Sequence, residues 1–432
     1  MTTLARLYAL EQFGIKLGLA NIERLCEALG HPERTFASLH VAGTNGKGSV
    51  TAMAHAALLA GGMRAARYTS PHLTRLNERF VIGDSPVADV ELEAVTARVL
   101  DAADDLVRRK ALPAPPTFFE ATTAIAFELF RRARMEVAVI EVGLGGRFDA
   151  TNVIAPLACA ITSIGLDHQE QLGTTFASVA FEKAGIIKPG VPVVVGNLPV
   201  EAEGVVRRVA GERGAPLTLI READTRVVEM SEGRATIDVR TAQHHYRSVR
   251  LALRGDHQVT NAALAVLLLD AARTHGVPVP FDAIAKGLEH VEWPARLERL
   301  DAGSGRAVLV DAAHNPEGAI ALARYLQRWH PERPPLVFAA MRDKDVDGML
   351  RALLPACGPV VTTTPATRRA DDPDVLASRV RAIDPGRRVR VVRDPRAAVD
   401  AALEDAAVVC VAGSIFLAAE VRDALHGRAI LP

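Results

Sequence analysis

The chain has 432 residues, 49% hydrophobic and 24% charged, a globular composition long enough for two or three domains with sizeable cores. Lys plus Arg and Asp plus Glu both total 51, so the formal net charge is +0 and neither nucleic acid nor an anionic membrane is expected as the main partner. Cys26, Cys159, Cys357 and Cys410 lie far apart with no C-x-x-C pair, which excludes a zinc or disulfide framework and makes them small core residues.

The N-terminus, MTTLARLYALEQFG, carries charges and no apolar h-region. No window approaches the roughly 20 apolar residues that span a bilayer. A cytoplasmic, reduced protein is expected. SLHVAG (38–43), EVAVIEVG (136–143), LACAITSIG (157–165) and VPVVVGN (191–197) are short apolar runs ended by breakers, the pattern of buried parallel strands. Helical stretches lie between them, SVTAMAHAALLAGG and FFEATTAIAFELFRRAR among them, so the first part reads as a parallel α/β sheet. In 215–254, LTLIREADTRVVEM, RATIDVRT and YRSVRLALRG alternate apolar and polar residues, as a small antiparallel sheet would. A long helix follows, QVTNAALAVLLLDAARTHG (258–276). Five further strands, AVLVDAAH, PLVFAAM, PVVTTTP, RVRVVRD and AVVCVAGS, make a second, Rossmann-like α/β domain. The boundary falls close to Pro294–Arg299, giving an N-terminal domain over 1–296 and a C-terminal α/β domain over 297–432.

HVAGTNGKGSV (40–50) follows a strand and opens a helix, as phosphate binding requires. It departs from the common G-x-x-x-x-G-K-[ST] loop: Val41 stands at the first Gly position, and Gly48 separates Lys47 from Ser49. Lys47 would neutralise phosphates, and Ser49 would offer a hydroxyl to Mg²⁺. In VIEVGLGGRFDATN (139–152), Glu141 and Asp149 follow a strand, where open α/β sheets place ligands and where a P-loop finds its Mg²⁺ carboxylate. Asp167 and His168 follow another. Lys183 in FEKAGIIKPG reads from composition alone as a solvated helix lysine. VDAAHNPEG puts Asp311, His314 and Asn315 at a strand end, WPARLERL puts Arg296 near the boundary, and RGDHQVTNAA puts Asn261 in the long helix.

These segments, with YTSPHLTRLNERF, TFFEATTAIAF, GLDHQEQLG, WPARLE and GSIFLAAEV, stand in the order found in the folylpolyglutamate synthase/dihydrofolate synthase family of the Mur ligase superfamily, which the chain resembles from KLGLANIERL (16–25) to GSIF (413–416). By that resemblance G-T-N-G-K-G-[ST] is the family's own loop, similar to the G-T-x-G-K-[ST] of Mur ligases with one Gly inserted. The resemblance implies ATP-dependent joining of L-glutamate to folates, and to 7,8-dihydropteroate, through an acyl phosphate. It implies that Asn45, Gly46, Lys47 and Gly48 hold phosphates with Ser49 at the first metal. Ser70, Glu141 and His168 become further ligands of two Mg²⁺ ions, with K⁺ in addition. Lys183 matches a carbamylated lysine, whose carbamate would be a carboxylate-like ligand of the second Mg²⁺. Asn261, Arg296 and Asp311 match nucleotide positions, fitting an ATP clamped between two domains. Lys16, Leu17 and Gly18, with Thr117, Phe118, Phe119 and Glu120, match the pterin region, where aromatic rings and a carboxylate suit a flat heterocycle. Phe148, Asp149 and Ala150 match a substrate loop, and His314 and Ser414 match the glutamate site. Lys47, Lys183, Asp149 and His314 are the implied catalytic residues.

Lys16 stands where many bifunctional members carry Asp, so a monofunctional folylpolyglutamate synthase is one alternative. A Mur-type peptidoglycan ligase is another, but such enzymes carry a UDP-binding domain before the phosphate loop, which here begins at Gly43. A nucleotide-dependent switch would need no second α/β domain with a strand-end DAAHNP segment. A monomer is expected, since no heptad or long apolar stripe is visible.

Overall fold

The structure, a computed structural model, describes every residue except 1, 15, 17, 113 and 430–432. It divides into two compact units. The first comprises Met1–Arg226, Ile237–Arg250 and Thr260–Val291, the second Val227–Thr236, Leu251–Val259 and Glu292–Pro432.

The first unit is built on an eight-stranded sheet: β1 (Ala37–Ala42), β2 (Ala65–Tyr68), β3 (Phe80–Ile82), β4 (Ser85–Pro86), β5 (Val137–Glu141), β6 (Ala158–Ile161), β7 (Val193–Val195) and β8 (Leu217–Leu219). Their order is β4-β3-β2-β5-β1-β6-β7-β8. β1 runs parallel between β5 and β6, and the antiparallel pairs β2–β3 and β3–β4 finish one edge. Every residue of β5 and β6 is buried, as expected for parallel strands covered on both faces. One apolar cluster joins Tyr68, Ala138 and Ile140 to Phe127 and Phe130 of the helix Phe118–Arg132. Another joins Cys159, Ile161, Val193 and Val195 to Val179 and Val206.

Four of these strands stand where the apolar runs place them. β2, its hairpin and β8 were not anticipated. LTLIREADTRVVEM, read as one antiparallel strand, is divided: Leu217–Leu219 extends the large sheet parallel to β7. A turn of 3₁₀ helix, Ile220–Glu222, closed by Leu219 N donating to Glu222 Oε1 at 3.0 Å, intervenes before β9 (Asp224–Ser231). β9, β10 (Arg234–Arg240) and β11 (His245–Arg254) form the small sheet in the order β11-β10-β9. Glu232 and Gly233, both with positive φ (50° and 76°), make the two-residue turn between its first strands, as a type I′ hairpin demands.

The second unit holds β12 (Glu298–Asp301), β13 (Ala307–Val310), β14 (Leu336–Phe338), β15 (Val360–Thr362), β16 (Val389–Val391) and β17 (Val408–Ala412) in the order β12-β13-β17-β14-β15-β16. The five expected strands are parallel. The sixth, β12, pairs antiparallel with β13 at the edge. Its ERLD sequence alternates partly buried and exposed residues, so it left no apolar run to find. Its core gathers Leu309, Leu326, Phe338, Met349 and Leu376. All four cysteines are buried and free. Among the described residues no helix is long and apolar enough to cross a membrane.

Candidate active site

β1 ends at the centre of the large sheet, and Gly43–Gly46 lead into the helix Lys47–Ala60. At Gly43 φ is +151°, and a Cβ there would overlap the Thr162 hydroxyl, so only glycine fits. The loop is pinned to the end of β6. Thr44 N donates to Ser163 O at 2.8 Å and Asn45 N to Ser163 Oγ at 2.9 Å. The Thr162 and Ser163 hydroxyls donate to Asn45 O at 2.6 and 3.0 Å. The helix N-cap is Gly46, which brings no side-chain cap. The first-turn amides of Lys47, Gly48 and Ser49 therefore have no intrahelical acceptor, and the helix dipole adds positive character to them. That is an anion cradle. Asn261 lies beside it: a Cβ on Gly46 would stand 2.5 Å from Asn261 Oδ1.

Two lysines converge on one carbonyl. Lys47 folds back, its Nζ donating to Gly43 O at 3.1 Å and Thr44 O at 3.2 Å. Lys183 Nζ donates to the same Gly43 O at 2.9 Å. Lys183 is not the solvated helix lysine its composition implies: only 4% of it is exposed. Burial first, and the Lys47 charge second, push its pKa down to about 7, against the opposing pull of Asp167 and Asp149.

Glu141 is the last residue of β5, in register with Val41 and buried. It accepts from Ser70 N, just past β2, at 3.3 Å. His168 takes a left-handed conformation at the start of the helix Gln169–Leu172, its Nε2 3.9 Å from Asp167 Oδ1. Among the described residues no group of three or more His, Cys, Asp and Glu gathers into a metal-ligand cluster.

Asp149 turns inward. Its Oδ1 accepts from Thr151 N at 3.0 Å and from the Thr151 hydroxyl at 2.5 Å, and its Oδ2 accepts from Leu144 N at 2.8 Å. Burial raises its pKa although these bonds oppose the rise. The neighbouring Ala150 is buried, and Phe148 carries the Arg147 guanidinium 4.3 Å over its ring.

In the TFFE segment, Thr117 and Glu120 form a capping box: Thr117 N donates to Glu120 Oε2 at 2.6 Å, and Glu120 N to Thr117 Oγ1 at 3.1 Å. One oxygen of the carboxylate expected at the pterin is thus committed to starting a helix. Phe118 stacks on Tyr8 (5.7 Å between centroids) and lies under Arg79 (5.2 Å). Phe119 tilts against Tyr68 at 6.1 Å. Lys16 Nζ sits 5.1 Å over Phe13, Gly18 has φ of +142°, and Leu17 lies outside the described residues.

The second unit brings its own candidates together. Asp311 accepts from Leu297 N through Oδ2 and from Ala313 N through Oδ1, both at 2.9 Å, so it organises the segment containing Arg296. Arg296 Nη1 donates to Ala295 O at 3.1 Å. His314 Nδ1 lies 3.0 Å from Ala312 O. Ser414 is buried, and its Oγ accepts from Phe416 N at 3.1 Å. Gly413 N donates to Ala313 O at 2.9 Å, which joins the His314 and Ser414 loops at the ends of β13 and β17.

Sequence reasoning missed the Thr162–Ser163 pair, His40, the Arg147–Glu182 ion pair (2.6 Å) and the Tyr8–Phe118 stack. The first had a readable signal: a polar TS directly after a buried strand at the sheet centre. The others pair residues distant in sequence.

The Mur ligase middle domain matches residues 41–269, and the Mur ligase glutamate ligase domain matches 295–415. The dihydrofolate synthase/folylpolyglutamate synthase of Bacillus subtilis is 36% identical over 79% of this chain and 80% of its own length. The folylpolyglutamate synthase of Mycobacterium tuberculosis, solved with ADP and AMPPCP, aligns with a TM-score of 0.90 at 33% identity, covering 98% of this chain and 99% of that one. E. coli FolC in complex with DHPP and ADP aligns at 0.88 with 28% identity, covering 99% of each chain.

Proposed function

The chain belongs to the dihydrofolate synthase/folylpolyglutamate synthase family of Mur ligases, and on that premise we propose how its residues carry out ATP-dependent ligation of L-glutamate to folates and to 7,8-dihydropteroate. The observation that carries the reading is the convergence of Lys47 and Lys183 on the Gly43 carbonyl, at the mouth of an uncapped helix.

A carboxylate is a poor electrophile at neutral pH. Transfer of the γ-phosphoryl group of ATP to the acceptor's carboxylate gives an acyl phosphate and ADP. The glutamate amine then attacks the carbonyl carbon, the tetrahedral intermediate collapses, and phosphate leaves as the amide forms. The protein's part is positioning and neutralising charge. The first-turn amides of Lys47, Gly48 and Ser49 take phosphate oxygens, and Asn45, Gly46 and Asn261 shape the cradle. Lys47, released from the loop carbonyls, follows the migrating charge. Arg296 and Asp311 serve the nucleotide. Phe118, Phe119 and Glu120, with Lys16 and Gly18, line the pterin region, and the 148–150 segment orders the acceptor. His314 and Ser414 receive glutamate.

The donor set fits Mg²⁺, which needs only one or two carboxylates when phosphates and water complete its shell. Glu141, Ser49, Ser70 and His168 would hold two such ions, which supply charge neutralisation to the phosphates. Lys183 fits as an ammonium donor to Gly43 and not as a ligand. Carbamylation by CO₂ would convert it, and burial, by lowering the pKa to about 7, raises the fraction of the neutral amine that reacts. K⁺, a monomeric state and a cytoplasmic location complete the reading.

The test is one assay with two acceptors. The protein is incubated with ATP, Mg²⁺, K⁺ and labelled L-glutamate, with 7,8-dihydropteroate or tetrahydrofolate, and products are identified by mass. Glutamate on both acceptors supports the bifunctional reading. Addition to tetrahydrofolate alone restricts it to a folylpolyglutamate synthase and points to Lys16. No product with either sinks it.

A further inference from the structure

His40 is an unusual occupant of β1. It stands in the central strand of the sheet, between Ile140 and Cys159 of the flanking strands, and its ring is fully buried. An imidazole in that position loses its hydration, so it needs a compensating bond. It has one. His40 Nε2 lies 2.9 Å from the Thr151 hydroxyl, 111 residues away in sequence.

The direction of that bond follows from counting protons. The Thr151 hydroxyl has a single hydrogen, and it lies 2.5 Å from Asp149 Oδ1. Asp149 also accepts from the Thr151 and Leu144 amides, so it acts as an acceptor throughout. Thr151 therefore donates to Asp149 and accepts from His40, which places the imidazole proton on Nε2. The other ring nitrogen, Nδ1, is buried and has no hydrogen-bond partner. The whole value of this histidine lies in one donated bond.

That bond reaches a loop touching two other parts of the candidate site. Gly143 abuts the ring of Phe119 so closely that a Cβ would overlap it. Asn152 Nδ2 donates to Arg147 O at 3.0 Å and to Gly185 O at 3.2 Å, tying the loop to the end of the helix that carries Lys183. Arg147 N donates to Glu182 O at 2.7 Å on that same helix.

We infer that His40 is a positioning residue for the 143–153 loop: through Thr151 it fixes the Asp149 carboxylate, and so couples the strand beneath the phosphate loop to the acceptor side of the site. Its ring is buried, and its one hydrogen bond goes to Thr151. The inference deepens the ligase reading and rests on it for its assay.

The test uses four single variants and one double. Gln can present an amide N–H near the place of the imidazole Nε2–H, without the orphaned Nδ1. His40→Leu presents none. Thr151→Val removes the relaying hydroxyl and Thr151→Ser keeps it. His40→Leu and Thr151→Val are each expected to raise the KM for the folate acceptor about tenfold, with the affinity for ADP unchanged. The double variant is expected to be no worse than either single. His40→Gln and Thr151→Ser are expected to return the KM to within about threefold of the parent. An unchanged KM in Thr151→Val overturns the inference, even if His40→Leu fails to fold. So do additive effects in the double variant, or equal losses in ADP affinity. An inactive parent refutes the ligase reading instead, so the two failures are distinguishable.

Discussion

The two units both carry a helix that starts at the carboxyl edge of a parallel strand, yet they treat its first turn in opposite ways. In the second unit the helix starts are capped locally. Asn315 Oδ1 takes Gly318 N at 2.9 Å, and Ser414 Oγ takes Phe416 N at 3.1 Å. In the first unit Gly46 brings no side chain to the start of Lys47–Ala60. The polar groups around that loop come from far along the chain, Ser163 and Lys183 among them. A helix N-terminus binds an anion well only if no side chain already fills the place of the cap. In the proposed reading, the first unit thus keeps its positive end for phosphate. The second spends its end on fixing two short loops, and presents His314 and Ser414 from a rigid edge.

The comparison breaks most visibly at the open end. Lys47→Ala is expected to lower kcat/KM by roughly 10²–10³-fold with the fold intact by circular dichroism. Near-normal turnover would remove the phosphate role. Lys183→Ala is expected to lose roughly 10- to 100-fold, a range typical of groups that organise a metal site. Added bicarbonate should not restore it and acetate should do so partly. Isotope-labelled bicarbonate failing to label the parent at Lys183 would speak against the carbamate.

A matched pair of glycine variants sharpens the contrast. Gly43→Ala and Gly413→Ala each force a Cβ into occupied space at positive φ, +151° and +101°. Each should destabilise by about 1–3 kcal/mol. Isothermal titration with ADP should separate them: Gly43→Ala loses binding, and Gly413→Ala keeps it while raising the KM for glutamate. Equal loss of ADP in both would erase the distinction. Removing a cap is a gentler change. Asn315→Ala should cost about 1 kcal/mol in urea unfolding and leave ADP affinity unchanged.

A last contrast is the pH dependence of the first unit. Burial, aided by Lys188, holds His40 at a pKa of about 3, and burial, aided by Arg67, holds His55 at about 3. The unfolded chain takes up these protons as pH falls below the ordinary value near 6.5, while the folded chain does not until about 3. Stability should therefore decline from about pH 6.5 down to about pH 3, by at most ~1.4 kcal/mol per pH unit for each histidine. His55→Gln should flatten part of that slope. An unchanged slope, measured by urea unfolding across the window, would mean that His55 is not held neutral.

Much of this was legible in the chain itself. Strands such as VAVIE and ACAI declare themselves because a parallel strand covered on both faces must be apolar throughout. The phosphate loop was legible because its chemistry needs glycines, a lysine and a hydroxyl within a few residues, and the family was legible as a resemblance in the order of the motifs. Other features depended on residues brought together only by folding. Leu217–Leu219 joins the large sheet because β7 stands beside it, and β12 is a strand because β13 offers it an edge. The burial of Lys183 and the pairing of His40 with Thr151 are bonds across 140 and 111 residues of sequence. Side-chain type limits which bonds a residue can make. Which partner it meets, and how much water is left beside it, is decided by the packed interior, where an unsatisfied polar group costs more than local preference can supply.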